Sequence, residues 1–427
     1  MREPTDEYPE ATEINADGLR LFADDVAAQV AGGFDLRQLP KAFYDDPYPV
    51  YHALRIFEPV RAMPDGSYFV SRHRDLEVIY KDTKTFSSDK KKEFGPKFGD
   101  GPLFEHHTTS LVFNDPPLHT RVRKIMAGAL TPRAIADMEA PVIALVDDLL
   151  DRMADKPEVD LIADFAAAIP VEVIGNMLDV PRDEREPLRD WSLAILGALE
   201  PVLSAEQLAR GEQAVREFKA YLEGLVARRR AAPGDPDKDV LTRLIQGEAD
   251  NERLTEIELL QNVIFILNAG HETTTNLIGN GLHALTLWPQ ERARLIGNPD
   301  LIKTAVEEFL RFESSNQLGN RITTAETEIG GVRLAAGTPV TLCIGGANRD
   351  PEQFAQPDRL DIGRQPNRHL AFASGPHQCV GMTVARIEGR VAIGRFLKRY
   401  PNYRLEGAAT RGGRARFRGF LSIPVTL

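Results

Sequence analysis

Apolar residues recur every three or four positions along the middle of the chain, which is the spacing of an amphipathic helix. In residues 140–153, Val142, Val146 and Leu149 follow this spacing and share one face. The same spacing predicts further helices over residues 161–178, 206–229 and 255–287. Residues 255–287 are the richest in apolar side chains, so we expect a long helix buried through the middle of the molecule.

Shorter patterns near both ends predict strands. Residues 67–71 follow a Pro-Asp-Gly turn, and residues 327–332 are typical of two strands joined by a tight turn. Two more strand patterns cover residues 338–344 and 420–427, the second interrupted by Pro424. Residues 47–57 predict a helix, whereas residues 87–117, rich in Gly, Pro, Lys and His, show no sustained period and predict a long irregular segment. The fold class is therefore mainly α with small β-sheets.

Composition and charge exclude several classes of protein. The chain has 427 residues, of which 42% are apolar and 27% charged, as in ordinary globular proteins. Its formal net charge of −11 argues against nucleic acid as a partner. No stretch approaches the about 18 consecutive apolar residues that would predict a membrane span, so we expect no membrane partner. The acidic first 18 residues do not resemble a signal peptide and predict a loose tail on a cytoplasmic protein.

The domain organisation is predicted to be simple. Residues 1–46 are interpreted as an N-terminal tail and lead-in, and residues 47–427 as one domain. The polar link at residues 228–239 predicts a surface loop between two helices. Two cysteines, Cys343 and Cys379, fit a reducing compartment better than a disulfide framework.

The strongest chemical motif surrounds Cys379. It lies in the run Phe-Ala-Ser-Gly-Pro-His-Gln-Cys-Val-Gly at residues 372–381, just before a helical pattern that starts at Met382. A thiolate is a soft metal ligand, and glycines together with a following helix N-terminus place backbone N–H groups and a positive dipole near the sulfur. Cys343, in a strand-like run, has the pattern of an ordinary core residue.

The long apolar helix carries a second motif, Ala-Gly-His-Glu-Thr-Thr at residues 269–274. Thr273 can donate to the carbonyl four residues before it and bend the helix. We expect the small residues Ala269 and Gly270 to leave room for a ligand. A packing kink would explain the glycine but not the acid Glu272 beside an alcohol. A His-Glu-x-x-His zinc site is rejected, because residue 275 is Thr.

Two further pairs of ionisable residues have helical spacing. Glu308 and Arg311 lie three positions apart and can form an ion pair. His119 and Arg123 lie four positions apart after two prolines, so they share a face and present two donors suited to a carboxylate. Either pair alone is common on exposed helices. Their significance depends on the order of all the motifs along the chain.

That order resembles the cytochrome P450 family from about Pro47 to the C-terminus. Residues 372–381 are similar to the family's haem-binding loop, Phe-x-x-Gly-x-His-x-Cys-x-Gly. The resemblance implies the cytochrome P450 fold, a helical bundle around a buried haem b (iron protoporphyrin IX), with Cys379 as the axial ligand of the iron. It implies Glu272 and Thr273 as the acid and alcohol of a proton relay. The implied haem contacts are His119, Arg123, Arg321, Phe372, His377 and Gly381, and the implied structural network is Glu308, Arg311 and Arg359.

The resemblance implies a monooxygenase that inserts one oxygen atom from O2 into a small organic substrate, by hydroxylation or O-dealkylation. Electrons would come from a separate ferredoxin or flavodoxin, docking on a basic patch formed by Arg72, Arg74, Arg121, Arg364 and Arg368. A peroxide-driven peroxygenase and a non-catalytic haem-thiolate sensor stay open as alternatives. Neither needs a proton relay, so the Glu272–Thr273 pair favours the O2 reaction.

The implied substrate pocket includes Leu267, Ala269, Ser315, Asn316, Leu318 and Phe417. Ser315 and Asn316 stand where the family pattern usually has proline and an aliphatic residue. Buried polar groups need partners, so one hypothesis is that these side chains bind a polar group of the substrate. The rival hypothesis, weighed equally, is that Asn316 bonds backbone and does not meet the substrate.

Overall fold

The computed structural model describes Tyr8 and residues 10–130, 132–236, 238–249 and 252–427. Its α-helices are α1 (Asp24–Gly33), α2 (Lys41–Asp45), α3 (Tyr48–Phe57), α4 (His73–Lys81), α5 (Lys91–Phe98), α6 (Pro102–Thr109), α7 (Leu118–Ala129), α8 (Pro132–Asp137), α9 (Glu139–Ala154), α10 (Ala168–Met177), α11 (Leu188–Gly197), α12 (Ala205–Ala231), α13 (Val240–Gln246), α14 (Glu256–Leu287), α15 (Pro289–Gly297), α16 (Ile302–Phe312), α17 (Ile344–Ala347) and α18 (Met382–Arg399). A π-helical turn covers Leu161–Ala166, and 3₁₀ turns include Leu111–Phe113 and Gly375–His377.

The strands are short. They are β1 (Val60–Ala62), β2 (Tyr68–Val70), β3 (Phe86–Ser87), β4 (Val159–Asp160), β5 (Glu248–Ala249), β6 (Glu252–Arg253), β7 (Leu318–Thr323), β8 (Thr327–Ile329), β9 (Val332–Leu334), β10 (Pro339–Cys343), β11 (Arg404–Leu405), β12 (Thr410–Arg411), β13 (Phe420–Ser422) and β14 (Pro424–Thr426). Five of them form a sheet in the order β1-β2-β10-β7-β3, in which only β2 and β10 run parallel among the described strands. The predicted class, mainly α with small sheets, is confirmed.

The chain forms two compact units. The first contains the described residues up to Ser87, Asn276–Cys379 and Pro401–Thr426. It holds the five-stranded sheet, whose strands pack one hydrophobic cluster around Tyr80 and Leu342 and another around Tyr51 and Cys343. The second unit contains the described residues of Ser88–Thr275 together with Val380–Tyr400, and is built largely from helices.

The predicted helices are present: α3, α9, α12 and α14 cover their predicted segments closely, and residues 161–178 form the π-helical turn followed by α10. The expectation of an irregular segment at residues 87–117 is wrong. That segment contains α5 and α6, each eight residues long, whose turns bury Phe94, Phe98 and Leu103. Helices this short, interrupted by glycine and proline, fall below the 11–18-residue window in which a helical period is recognised.

The lead-in before residue 47 contains two helices, α1 and α2, and it buries Phe22, Phe34 and Phe43 in the cluster that includes Tyr51. The first seven residues and Pro9 lie outside the described part, so the loose tail is not tested there. From residue 10 onward the expectation is wrong. The Thr12 N–H donates to the Leu21 carbonyl at 2.8 Å, and the Gly18 carbonyl accepts from the backbone N–H of residue 358 at 2.9 Å.

Candidate functional site

The segment that carries Cys379 is a tight loop in the first unit. Two of its residues have left-handed backbone angles, Ala373 with φ 56° and Gly375 with φ 67°. A Cβ atom on Gly375 would lie 2.5 Å from the Tyr80 carbonyl oxygen, so no side chain fits there. The Cys379 N–H donates to the Phe372 carbonyl at 2.9 Å. This bond closes the loop and fixes the backbone that presents the sulfur.

The two cysteines have opposite surroundings. Cys343 is fully buried in the core, where its sulfur accepts the Gly346 N–H at 3.3 Å. Burial raises the pKa of the Cys343 thiol to about 12, which keeps it protonated. Cys379 is exposed and lies three residues before α18, an 18-residue helix. The expectation of a core residue at Cys343 is confirmed, and Cys379 is the cysteine whose position suits a metal ligand.

A buried ion-pair network lies in the same unit as the loop. Both Glu308 and Arg311 are fully buried and form two 2.8 Å hydrogen bonds, as a paired buried charge requires. The assignment of Arg359 as the third side chain is wrong. Its side chain is exposed and only its carbonyl meets Arg311, at 3.3 Å. Arg364 is the third side chain of the network, and its Nε lies 3.1 Å from Glu308 Oε2.

Helix α14 contains the predicted acid–alcohol pair in the second unit. The Thr273 hydroxyl donates to the Ala269 carbonyl at 2.7 Å, as predicted. Glu272 is 7% exposed on the same turn. The expectation that Gly270 leaves room for a ligand is wrong, because a Cβ there would lie 2.3 Å from Ile174 Cδ1 of α10. Gly270 is needed for the close packing of two helices.

Polar residues elsewhere on α14 were missed by the sequence analysis. Asn268 and His271 are 1% and 3% exposed, and no described residue is hydrogen-bonded to the Asn268 amide or to either ring nitrogen of His271. Burial, with Arg189 as a second cause, lowers the pKa of His271 to about 4 and keeps it neutral. Polar residues at positions 268, 271 and 275 repeat at helical spacing, which could have revealed this face.

A second buried polar contact joins α14 to α18. Glu388 is 2% exposed, and its carboxyl lies near the Thr274 hydroxyl. Burial raises the pKa of Glu388 to about 8, so this acid is protonated at neutral pH. The sequence of α18 gave no sign that Glu388 is buried, because its burial depends on which face of that helix meets α14.

The four basic residues predicted to hold a carboxylate divide between the two units. His119 is 2% exposed on α7, with Arg123 one turn later. Arg321 is 6% exposed on β7, where its guanidinium stacks 5.1 Å from the Tyr80 ring, and His377 ends the 3₁₀ turn before Cys379. Imidazole and guanidinium groups are of the chemical type that binds carboxylates, and the exposed thiol of Cys379 is of the type that binds iron.

Two candidate pocket segments are joined in the first unit. The Gln317 N–H donates to the Arg416 carbonyl at 2.8 Å, and the Arg418 N–H donates to the Ser315 carbonyl at 2.8 Å, so Asn316 and Phe417 face each other as a β-bridge. Among the described residues, no hydrogen-bond partner meets the buried Ser315 Oγ or Asn316 Oδ1.

The other apolar pocket candidates are divided between the two units. Leu267 is 3% exposed and Ala269 is half-buried, both on α14 in the second unit. Leu318 packs in the core cluster with Phe69 and Cys343, and its role in the pocket stays a prediction. Its position at the start of β7, opposite Cys343 of β10, turns it into the core.

Several arginines of the predicted basic patch are paired with carboxylates. Arg364 is engaged by Glu308, and Arg74 lies 2.9 Å from Glu352 in the first unit. Arg121 pairs with Glu258 in the second. Arg368 is exposed and Arg72 is half-buried in the first unit. Among the described helices, none has the length and apolar character needed to cross a membrane.

Comparisons with known proteins identify the family of the chain. The family model for cytochrome P450 matches residues 59–406. The chain is 34% identical over 366 residues to the biotin biosynthesis cytochrome P450 of Bacillus subtilis (strain 168), which covers 85% of this chain and 91% of that protein. It is 36% identical over 368 residues to the vitamin D(3) 25-hydroxylase of Pseudonocardia autotrophica, covering 85% and 88%.

A solved structure gives the same result for the fold. The crystal structure of P450BioI in complex with acyl carrier protein ligated to hexadec-9Z-enoic acid superposes with a TM-score of 0.84 at 33% identity. The match covers 90% of this chain and 99% of that one.

Proposed function

The chain belongs to the cytochrome P450 family, and from this premise we propose that Cys379 is the axial ligand of its haem iron. Enzymes of this family are haem-dependent monooxygenases, so the cofactor is haem b. The observation that carries the assignment is the contrast between the exposed Cys379, in its closed loop before α18, and the buried thiol of Cys343. A thiolate ligand donates electron density to the iron and favours cleavage of the O–O bond.

The test is an absorption difference spectrum of the reduced protein with and without carbon monoxide. A strongly red-shifted Soret band is expected, since it reports an intact thiolate bond to the haem iron. A haem band without the red shift would show a neutral thiol or an imidazole as the ligand and would overturn the assignment.

The proposed reaction inserts one oxygen atom from O2 into an organic substrate, as in hydroxylation or O-dealkylation. The haem supplies the oxidising chemistry when bound, and the protein supplies protons, orientation and shape. The Thr273 hydroxyl donates its own hydrogen to the Ala269 carbonyl, so its oxygen lone pairs are left to accept a hydrogen bond. Glu272, on the same turn of α14, would be the acid that supplies the proton, and Thr273 Oγ1 would be the hydrogen-bond acceptor that orients the proton carrier. His119, Arg123, Arg321 and His377 would hold the haem carboxylates, with Phe372 and Gly381 as further haem contacts.

The Glu272→Gln variant is expected to slow O2-dependent product formation by about a hundredfold, which is within the usual contribution of a general acid. Substrate affinity should not change, because the side chains are nearly isosteric. Product formation and substrate-induced spin-shift titrations would measure the two effects separately. Glu256→Gln, on the exposed first turn of the same helix, is the matched control. Unchanged O2-dependent turnover in Glu272→Gln would show that Glu272 is not the acid of the relay. Product formed by the parent only from hydrogen peroxide would favour the peroxygenase, and no product from either oxidant would favour the sensor.

The proposed substrate is a largely apolar molecule with one hydrogen-bonding group. Leu267, Ala269 and Phe417 are the apolar residues that the family resemblance implies for its pocket. Ser315 Oγ and Asn316 Oδ1 are buried polar atoms that need a partner, and a polar group of the substrate would supply it. Two of the relatives are named for a long-chain acyl ligand and for vitamin D(3), which are molecules of this kind.

The Asn316→Val variant is expected to weaken binding of such a substrate about tenfold, or ~1.4 kcal/mol, by removing one hydrogen bond. Spin-shift titration with hexadec-9Z-enoic acid and with vitamin D(3) would measure the dissociation constants. The hydrocarbon that lacks the carboxyl group is the matched ligand, and its affinity should be the same in both proteins. If the variant binds every ligand as the parent does, Asn316 bonds only the protein.

A separate redox protein, a ferredoxin or a flavodoxin, is the proposed electron donor. Members of this family need a redox partner, and the exposed Arg368 in the segment before the Cys379 loop suits the acidic surface of a small electron carrier. Reconstitution with each carrier and its reductase would identify the class. A rate that falls steeply with added salt would support electrostatic docking, whereas a salt-independent rate would contradict it.

A further inference from the structure

The chain that leads into the Cys379 loop is held at successive residues by different elements of the first unit. The Asn367 amide donates to Glu308 Oε2 at 3.1 Å, and His73 Nε2 of α4 donates to the residue 368 carbonyl at 2.9 Å. The Leu370 N–H donates to Asn348 Oδ1 at 2.7 Å. Between these anchors, the side chain of residue 369 is fixed by α16.

That side chain is His369, which is almost fully buried. Its Nδ1 accepts the Ala371 N–H at 3.3 Å, so the ring proton must be on Nε2, which donates to Glu307 Oε2 at 3.1 Å. The Glu307 side chain is 26% exposed and that of His369 is 3% exposed. The imidazole therefore connects a helix to the backbone of the loop through both of its nitrogens.

The contact continues to the ligand loop itself. The His369 ring lies against Phe372, with ring centroids 5.9 Å apart. The Phe372 carbonyl is the acceptor of the Cys379 N–H. Contacts through three groups thus connect α16 to the backbone of Cys379: the carboxylate of Glu307, the imidazole of His369 and the peptide of Phe372.

We propose that Glu307 and His369 are positioning residues that set the orientation of Cys379 toward the iron, an inference that rests on the proposed ligation by Cys379. The adjacent carboxylates of α16 then have different tasks. Glu308 is engaged in the buried network with Arg311 and Arg364, while Glu307 holds the backbone seven to ten residues before the sulfur. Partners that orient a metal ligand are worth about 10–100-fold in metal affinity or activity when they are removed.

The experiment uses the haem-loaded enzyme and four variants. His369→Phe keeps a ring against Phe372 but removes both nitrogens, and Glu307→Leu removes the acceptor. Glu307→Gln keeps an oxygen that can accept from Nε2, and Glu326→Gln alters an exposed carboxylate as the matched control. The readouts are the fraction of the reduced, CO-bound protein with the red-shifted Soret band, and the rate of haem transfer to a haem-free globin.

We expect His369→Phe and Glu307→Leu to lose part of the red-shifted fraction and to release haem about tenfold faster. Glu307→Gln and Glu326→Gln should match the parent. If His369→Phe does not fold, the partly exposed Glu307 still allows the test through Glu307→Leu. If the parent has the red-shifted band, and His369→Phe and Glu307→Leu keep the parental spectrum and rate of haem release, this inference alone is overturned. A lower thermal stability of these variants would not change that conclusion. A parent without the band would overturn the proposed ligation and this inference with it.

Discussion

The Cys379→Ala variant is expected to lose the red-shifted Soret band completely and to form no product from O2. Alanine offers no lone pair to the iron, and no nearby residue in the described part of the loop has a thiol to replace it. The thiolate is also the group that supports O–O cleavage, so the loss of activity should be total rather than partial. Carbon monoxide difference spectra and product analysis with a reconstituted electron donor would measure both effects.

The second cysteine provides the matched control. Cys343→Ala removes a thiol that is fully buried and whose pKa is raised to about 12, so it should leave the spectrum and the product unchanged. Its small cavity should cost at most a modest part of the stability. A red-shifted band that survives in Cys379→Ala, or that disappears in Cys343→Ala, would contradict the assignment.

The Glu388→Gln variant is expected to be more stable than the parent at alkaline pH. Burial raises the pKa of Glu388 from 4.5 to about 8, so between these values the folded protein holds a proton that the unfolded chain releases. The free energy of unfolding of the parent therefore falls as pH rises through this window. Each pKa unit corresponds to about 1.4 kcal/mol, so the accumulated loss approaches about 5 kcal/mol at pH 8.

Glutamine has nearly the same shape, stays neutral and can hydrogen-bond to the Thr274 hydroxyl. Denaturant unfolding of parent and variant should show equal free energies near pH 4.5 and a gap that widens steadily toward pH 8. Glu328→Gln, an exposed carboxylate on β8, controls for the loss of a charge. A gap that is constant with pH would show that Glu388 titrates normally and that its environment is wetter than its burial implies.

The long helices and the identity of the ligand loop could be predicted from sequence because both depend on local spacing. The apolar period defines α14, and the hydrogen bond from Thr273 to Ala269 follows from four-residue spacing along a helix. The loop motif around Cys379 is continuous in the chain. The short α5 and α6 were missed because their burial of Phe94 and Phe98 depends on contacts with other segments.

The wrong assignments share one physical cause, which is that sequence gives the order of residues but not the path of a loop. Arg359 and Arg364 are five residues apart, and the turn closed by the bond from the Arg364 N–H to the Asp361 carbonyl directs the later one to Glu308. Gly270 suits a ligand as well as a neighbouring helix, and only the position of Ile174 decides between them. The partners of Glu388 and His369 are also distant in sequence, so their roles required the fold.

The backbone bridge between Asn316 and Phe417 has a consequence for directed evolution of substrate range. Because these two residues are held opposite each other by bonds from Gln317 and Arg418, a larger or smaller side chain at one position shifts the strand that carries the other. Residues in such direct contact show non-additive effects. Libraries that randomise positions 316 and 417 together will reach specificities that stepwise selection at either position would discard.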